Sequence, residues 1–311
     1  MTVLEAIRKS AEFLGKKDVE SPRLQTELLL AHLLRLPRMK LYLNFDRVLS
    51  AAETDALREL VKRRGQREPL QHIVGSTAFC GLELAVNRHA LIPRPETELL
   101  AELGWQFLIQ RRGRAGRDGD STPPSGWVAG PPTALDFGTG TGCIAIALAA
   151  KCAEAEITAV DISPEALALA KENAAKNHVA ARIQFLQGDG LAALAAAKPA
   201  ADFPRGFDLI ISNPPYIASD EIATLDPEVR DFDPRAALDG GPDGLGFYRR
   251  LAAEAAPHLK AGGKIMLEFG DGQAGAIKKF FEGENWIVEA VRDDYSQRAR
   301  ILIARTQLNH Q

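Results

Sequence analysis

The sequence has 311 residues, a formal net charge of −3 and a hydrophobic content of 46%. This length allows one large domain or two modest ones, and the near-neutral charge excludes a strong overall field for nucleic acid or a membrane. The three cysteines, Cys80, Cys143 and Cys152, do not have the number or spacing of a disulfide scaffold or a metal site. No signal peptide or membrane-spanning run is apparent, so we expect a soluble protein of the cytoplasm.

The first 68 residues are predicted to form a small helical domain. Residues 1–75 hold 14 Lys or Arg and 10 Asp or Glu, so this part carries +4 and the remainder carries −7. No group of catalytic side chains occurs here, which leaves a recognition or docking module and a structural cap as the two interpretations. The helix starts are marked by Thr2 with Glu5, Ser21 with Pro22, and Ser50 with Glu53.

Residues 69–90 are predicted to be a β-hairpin linker, with strands at Gln71–Gly75 and Leu82–Val86. His72 lies in the first of these, and a single histidine in a strand is more often structural than catalytic. The prolines of Pro93–Glu98 predict a rigid entrance to the helix that follows, and this segment could also shape the entrance of a pocket.

The second half alternates strands and helices after a segment, 112–132, that is rich in Gly, Arg, Ser and Pro and is expected to be a flexible surface insertion. Such alternation predicts a parallel sheet with helices on both faces. The predicted strands are 133–137, 157–160, 183–186, 207–211, 264–269, 286–291 and 300–305.

The first strand of this half leads into Gly138-Thr139-Gly140-Thr141-Gly142, the glycine loop, and then into a helix. Glycines let the backbone turn tightly and approach a ligand closely. Asp161 follows the next strand, 19 residues beyond Gly142, where a carboxylate can accept from both hydroxyls of a ribose. Cys143 stands where a dinucleotide fingerprint has its third glycine, and the loop lacks the Gly-Lys-Ser/Thr ending of a P-loop.

A second loop follows the apolar run Phe207–Ile211, which predicts a buried parallel strand. The Asn-Pro-Pro-Tyr loop (Asn213-Pro214-Pro215-Tyr216) is stiffened by its prolines at the strand's carboxyl end, where open α/β sheets bind ligands. The Asn213 side chain and the Pro214 carbonyl together offer two acceptors for the hydrogens of a planar NH2 group, on which Tyr216 could stack. An ordinary turn has the same residue types.

The glycine loop, Asp161, Asp189 and the Asn-Pro-Pro-Tyr loop, in this order on consecutive strands, resemble a class I S-adenosylmethionine methyltransferase. The resemblance implies an α/β fold, Rossmann-like, with a mostly parallel seven-stranded sheet and a small N-terminal helical domain joined by a β-hairpin. It also implies a substrate with a planar NH2 group, either the amino group of adenine or cytosine in nucleic acid or the side-chain amide of glutamine in a protein. A module that binds the cofactor and transfers nothing is a third possibility.

Nucleic-acid enzymes of this kind must reach a flipped base and usually carry a basic recognition domain, whereas this chain is net acidic. The motif order further resembles the HemK/PrmC family, the protein-glutamine methyltransferases of peptide chain release factors. The motifs that carry this resemblance are Pro69–Gly75, Leu91–Glu98, the glycine loop, the Asn-Pro-Pro-Tyr loop, Asp233–Gly241 and Asp243–Leu245.

That resemblance implies methyl transfer from S-adenosylmethionine, with S-adenosylhomocysteine as product, to the glutamine of the Gly-Gly-Gln loop in class I release factors. It implies a release-factor-binding domain at 1–68 and a methyltransferase domain at 91–311, and we expect a monomer with no membrane or nucleic-acid partner. The amide nitrogen would attack the methyl group in line without a general base, so neither His72 nor Glu268 is nominated as one.

The implied residues follow from the motif matches. Gly190 is one departure, because the family often has a bulky aromatic after the acid at Asp189, and the length of segment 112–132 is another. No metal ligands are implied. The cofactor residues are Gly138, Thr139, Gly140, Thr141, Gly142, Asp161, Asp189, Gly190 and Asn213; the substrate residues are Asn213, Pro214, Pro215 and Tyr216, of which Asn213, Pro214 and Tyr216 are the catalytic ones.

Overall fold

The structure, a computed structural model, describes residues 1–116, 130–196 and 206–307, so most of the predicted insertion at 112–132 lies outside the described residues. The chain forms two compact units, each described separately below. Unit 1 comprises Met1–Ser76, Val86–Arg88 and Leu225–Phe232, and unit 2 comprises Thr77–Ala85, His89–Thr224 and Asp233–Gln311.

The helices and strands are, in chain order, α1 (Val3–Gly15), α2 (Pro22–Leu34), α3 (Arg38–Leu41), α4 (Ala51–Gly65), α5 (Leu70–Val74), β1 (Ser76–Phe79), β2 (Leu82–Ala85), α6 (Pro95–Gly116), β3 (Thr133–Phe137), α7 (Cys143–Lys151), β4 (Glu156–Asp161), α8 (Pro164–Lys176), β5 (Ile183–Gln187), α9 (Ala192–Ala196), β6 (Phe207–Ser212), α10 (Pro227–Arg230), α11 (Gly246–Glu254), β7 (Leu259–Glu268), α12 (Ala274–Gly283), β8 (Trp286–Asp293) and β9 (Ala299–Thr306). Among the described residues, no helix combines the length and the apolar character needed to cross a bilayer.

Unit 1 packs its helices around one apolar core that includes Ile7, Leu30 and Leu57. The predicted capping boxes at the starts of α1 and α4 are confirmed, since in each the serine or threonine and the glutamate exchange hydrogen bonds with the backbone. The predicted cap of α2 is wrong in its chemistry: Ser21 has a left-handed backbone and its side chain makes no capping hydrogen bond.

The segment Leu225–Phe232 belongs to unit 1 through an ion-pair cluster. The Glu228 carboxylate accepts from Arg64 Nη2 at 2.7 Å and from Arg67 Nη2 at 2.6 Å. Arg64 is 3% exposed, so this pairing satisfies a guanidinium that would otherwise be buried without a counter-charge.

The strand predicted at Gln71–Gly75 is wrong, because these residues form helix α5. Five residues are too few for the apolar spacing to distinguish helix from strand. Gly75 ends the helix with a φ of +81°, and its N–H donates to the carbonyl of Gln71 at 2.7 Å. The β-hairpin that follows consists of β1 and β2. Its two turn residues, Cys80 and Gly81, both have positive φ, as a tight hairpin turn requires.

Unit 2 contains a seven-stranded sheet with the strand order β5-β4-β3-β6-β7-β9-β8. All neighbours are parallel except β9, which pairs antiparallel with β7 and β8, so the predicted mostly parallel seven-stranded sheet is confirmed. Alternate residues of β6 enter two different apolar clusters, with Leu209 and Ile211 in one and Ile210 in the other. Both faces of the strand are therefore covered, as its continuous apolar run predicts.

The strand order reverses between β3 and β6. From β3 the chain continues to β4 and β5 on one side, then returns to β6 on the other. The loops that follow β3 and β6 therefore diverge and leave a crevice at the carboxyl ends of the strands. This topology places the glycine loop and the Asn-Pro-Pro-Tyr loop on the same edge of the sheet.

Candidate active site

A cleft with an empty volume of about 1030 Å³, its open mouth included, lies at this edge of unit 2. It brings together predicted site residues from four separate loops. Gly142, Pro214 and Tyr216 do not line it. The predicted residues that do line it are Gly138, Thr139, Gly140, Thr141, Asp161, Asp189, Gly190, Asn213 and Pro215.

The glycine loop, which connects β3 to α7, is held by residues of β3 and of the adjacent strand β4. The N–H groups of Gly138 and Thr139 both donate to the carbonyl of Val160 at 2.9 Å. The buried Asp136 carboxylate accepts from Thr139 Oγ1 at 2.6 Å and from Ala145 N at 3.1 Å, which ties the loop to the start of α7. Burial raises the pKa of Asp136 to about 7. The loop thus has a fixed shape, and its backbone faces the cleft.

Gly142 has a structural reason to be glycine. Its φ is +82°, and a Cβ here would lie 3.0 Å from the side chains of Ala170 and Ile146. A side chain would therefore separate α7 from α8. Gly142 therefore serves the packing of these two helices, and it does not line the cleft.

Asp161 lies at the end of β4 with both carboxylate oxygens oriented by backbone N–H groups. Oδ2 accepts from Gly140 N at 2.8 Å, and Oδ1 accepts from Ser163 N at 2.9 Å. Each oxygen keeps a further lone pair, so two hydroxyl groups could still donate to this carboxylate. Its two N–H partners fix the orientation of the carboxylate.

Asp189 and Gly190 line the cleft in the loop after β5. The Asp189 side chain is 63% exposed and pairs with Arg250 Nη1 at 2.5 Å. Gly190 is buried with a φ of +59°, and a Cβ here would lie 2.4 Å from the ring of Phe137. The ring of Phe137 therefore occupies the space that a side chain at position 190 would need.

The aromatic surface of the cleft comes from Phe137 and Phe247, which both line it. Their ring centroids are 6.3 Å apart in an edge-to-face arrangement. Sequence reasoning missed both residues. The one available signal was the phenylalanine directly before the glycine loop, at the end of a strand that points towards the cleft.

The Asn-Pro-Pro-Tyr loop is attached to β3 and to two distant segments. Ser212 Oγ donates to the Phe137 carbonyl at 2.6 Å, and Gln273 Nε2 donates to the Tyr216 carbonyl at 2.8 Å. Asn213 is half-buried, and its Nδ2 donates to Thr97 Oγ1 at 3.1 Å. Its Oδ1 is thereby left to accept hydrogen bonds. Burial raises the pKa of Tyr216 to about 12, so its hydroxyl stays protonated.

Besides starting α6, the segment Pro93–Glu98 contributes two side chains that line the cleft and bind residues far away along the chain. Arg94 lines the cleft and pairs with the buried Asp233 at 2.6 Å, which connects this segment to the Asp233–Gly241 motif. Thr97 lines the cleft as well, and its hydroxyl donates to Glu268 Oε2 at 2.7 Å. Sequence reasoning gave these residues no definite role, because their partners are far away along the chain.

Comparisons with known proteins match both parts of the chain. A family model described as the PrmC N-terminal domain matches residues 5–75, and one described as a methyltransferase small domain matches residues 130–226. The release factor glutamine methyltransferase of Geobacter sulfurreducens is 41% identical over 280 residues, which cover 90% of this chain and 88% of that protein. The protein of the same name from Chlorobaculum tepidum is 38% identical and covers 98% of both chains.

Among solved structures, the hMettl16 catalytic domain matches with a TM-score of 0.51 and 15% identity. The match covers 84% of this chain and 82% of that one. At this identity the likeness concerns the fold alone.

Proposed function

We propose, from the premise that the chain belongs to the release factor glutamine methyltransferase family, that it methylates the side-chain amide nitrogen of the glutamine in the Gly-Gly-Gln motif of class I peptide chain release factors. The observation that supports this proposal is the orientation of the Asn213 amide. Its nitrogen is engaged by Thr97, and its oxygen is therefore available to the same cleft that the glycine loop lines.

The cofactor is S-adenosylmethionine, and the residues of the cleft fit it. The glycine loop offers its backbone to the methionine and ribose, and the oriented Asp161 carboxylate suits the ribose hydroxyls. Phe137 and Phe247, with Asp189 and Gly190 beside them, would border the adenine. When bound, S-adenosylmethionine supplies an electrophilic methyl group, and S-adenosylhomocysteine is its product.

The protein's own contribution is to hold and orient the substrate amide. An amide nitrogen is a poor nucleophile because its lone pair is delocalised into the carbonyl group. In the proposal, Asn213 Oδ1 and the Pro214 carbonyl accept its two hydrogens, which aims the nitrogen and stabilises the positive charge that it gains. No general base is needed before attack, since the nitrogen becomes acidic once methylated. Pro215 lines the cleft beside these groups, while stacking of Tyr216 on the amide plane stays a prediction.

We further propose that the helical domain predicted at 1–68 binds the release factor, that 69–90 acts as linker and that 91–311 performs the chemistry. Unit 1 exposes three apolar side chains within ten residues: Met39 is 66% exposed, Leu43 79% and Val48 68%. Exposed apolar side chains on a basic unit suit a protein partner with an acidic surface. A monomer in the cytoplasm is part of the same proposal.

The test is transfer of labelled methyl from S-adenosylmethionine to purified unmethylated release factor, followed by peptide mass mapping. We expect one methyl group on the glutamine of the Gly-Gly-Gln motif, and none on a release factor in which that glutamine is replaced by alanine. Label on DNA or RNA, with none on the release factor, would overturn the proposal in favour of a nucleic-acid amino group.

A further inference from the structure

A buried chain of hydrogen bonds connects the Asn-Pro-Pro-Tyr loop to the end of β7. Asn213 Nδ2 donates to Thr97 Oγ1 at 3.1 Å, and Thr97 Oγ1 donates to Glu268 Oε2 at 2.7 Å. Thr97 is 2% exposed and Glu268 is 1% exposed. The three residues come from three different elements, α6, the loop after β6 and the end of β7, so only the folded chain assembles them.

The direction of this chain of hydrogen bonds is set by the carboxylate of Glu268 at its end. An ionised carboxylate only accepts hydrogen bonds, and a threonine hydroxyl has a single proton. With Glu268 ionised, the Thr97 proton points to Glu268, and the Thr97 oxygen must accept from its other neighbour. That neighbour is the NH2 end of Asn213. The Asn213 carbonyl oxygen then faces away from Thr97, which is the orientation that a substrate NH2 group requires.

The opposite orientation would be unproductive. An amide rotated by half a turn has nearly the same shape, so packing alone discriminates weakly between the two. In the rotated state Asn213 would present its own N–H donors to the N–H donors of the substrate. The reaction therefore needs a group that selects the productive orientation of Asn213 as well as the amide group itself.

We propose that Thr97 and Glu268 are positioning residues, which hold the Asn213 amide with its oxygen towards the substrate through the hydrogen-bond chain Asn213–Thr97–Glu268. This inference rests on the proposed function, because it assumes that Asn213 accepts from a substrate NH2 group. It assigns a role to Pro93–Glu98, which places Thr97 in the first turn of α6, and to Glu268, which is not a general base.

The direction of these hydrogen bonds depends on pH through the protonation state of Glu268. Burial raises the pKa of Glu268 to about 7, and the nearby Glu96 acts in the same direction, whereas the hydrogen bonds from the side chains of Thr97 and Asn213 and the charge of Arg300 lower it. Tyr216 and Tyr248 also face this carboxyl, and burial keeps both phenols protonated. Below the pKa, a protonated Glu268 becomes a donor to Thr97, and the chain no longer has a fixed direction.

The first experiment compares Thr97→Val with Thr97→Ser at saturating cofactor and release factor. Valine keeps the shape and removes the hydroxyl, so we expect kcat to fall by about 10- to 100-fold, within the range for a misplaced reacting group. The Kd for S-adenosylmethionine should stay within about twofold, since the glycine loop is untouched. Serine restores the hydroxyl and should recover most of kcat. Equal activity of the two variants would overturn the proposal.

The second experiment measures kcat against pH. Because the ionised form of Glu268 is the competent one, kcat of the unaltered enzyme should fall as the pH drops below about 7, and this acid limb reports the enzyme–substrate complex. Glu268→Gln keeps an acceptor for Thr97 and should flatten the limb. Glu96→Gln removes a neighbouring negative charge, so the limb should move to lower pH with its plateau unchanged. An acid limb that neither variant moves would contradict the proposal.

A third readout does not require activity. The side-chain NH2 resonances of Asn213 should titrate in NMR spectra with the midpoint of the Glu268 carboxyl. Thr97→Val should weaken this coupling, and Glu268→Gln should abolish it. If the Asn213 resonances do not shift as Glu268 titrates, the proposal is overturned, even if the enzyme methylates release factors. Methylation of nucleic acid in place of release factor would overturn the proposed function, and the Thr97 series could then be measured on that substrate.

Discussion

The glycine loop and the Asn-Pro-Pro-Tyr loop lie on the same edge of one sheet, but they are held in different ways. The glycine loop is fixed mainly by the strands before and after α7: Asp136 of β3 accepts from Thr139, three positions later, and Asp161 of β4 accepts from Gly140, 21 positions away. The Asn-Pro-Pro-Tyr loop is fixed by Thr97 and Gln273, which lie 116 and 57 positions from their partners. One loop is therefore held largely within the consecutive elements β3, α7 and β4, whereas the other depends on segments from distant parts of the chain.

This difference corresponds to a division of chemical work. In the proposed function, the glycine loop acts through its backbone, whose shape follows from its own glycines, from Asp136 and from the end of β4. In the same proposal, the Asn-Pro-Pro-Tyr loop acts through a side-chain amide, and an amide with two similar orientations needs partners from elsewhere in the chain. Variants that separate cofactor binding from turnover test whether the division is as sharp as the structure implies.

The largest effect is expected for Asn213→Ala. Loss of one acceptor for the substrate amide should lower kcat by roughly 10²- to 10³-fold, by analogy with the removal of one group that stabilises a transition-state charge. The Kd for S-adenosylmethionine, measured by calorimetry, should change by less than about threefold because the glycine loop keeps its own hydrogen bonds. A large loss of cofactor affinity would mean that Asn213 serves both loops.

The next largest effect is expected for Asp161→Ala, which should change cofactor binding and not turnover. Hydrogen bonds to a charged group contribute about 1.5–3 kcal/mol, so cofactor affinity should fall by about 10- to 100-fold. With cofactor at saturation, kcat should recover to near the value of the unaltered enzyme. Glu172→Gln, an exposed charge change on α8, is the matched control and should leave the Kd unchanged. A kcat that stays low at saturation would contradict the division.

These two loops also explain how far the sequence could predict the site. The seven strands and the glycine loop could be predicted from local patterns, because apolar runs and glycine spacing depend on neighbours in the chain. The strand at Gln71–Gly75 was mispredicted because its five residues contain too little periodicity. Thr97 and Glu268 could not be connected to Asn213, since no local pattern records a contact between α6, β6 and β7.

Gly190 is an intermediate case, in which a departure from the family pattern has a tertiary explanation. A residue other than glycine at a φ of +59° costs about 1–2 kcal/mol, and its Cβ would also meet the Phe137 ring. Gly190→Ala should therefore lower the free energy of unfolding by at least about 1–2 kcal/mol, measured by urea denaturation. In a Phe137→Leu background the clash is absent, so the same substitution should cost less. If Gly190→Ala cost as much in both backgrounds, Phe137 would not be the reason for glycine at position 190.

The smallest effect is expected for Gln273→Met, which keeps the length of the side chain but removes the hydrogen bond that it donates to the Tyr216 carbonyl and the one that it accepts from Gly270 N. Such a bond contributes about 1 kcal/mol, so kcat should fall no more than about fivefold and cofactor affinity should not change. Gln106→Met, on the exposed surface of α6, is the matched control and should change neither. Gln273 holds the backbone of the loop, whereas Thr97 selects the orientation of its amide. A loss for Gln273→Met as large as that for Asn213→Ala would mean that the placement of the whole loop, and not the direction of one amide, limits turnover.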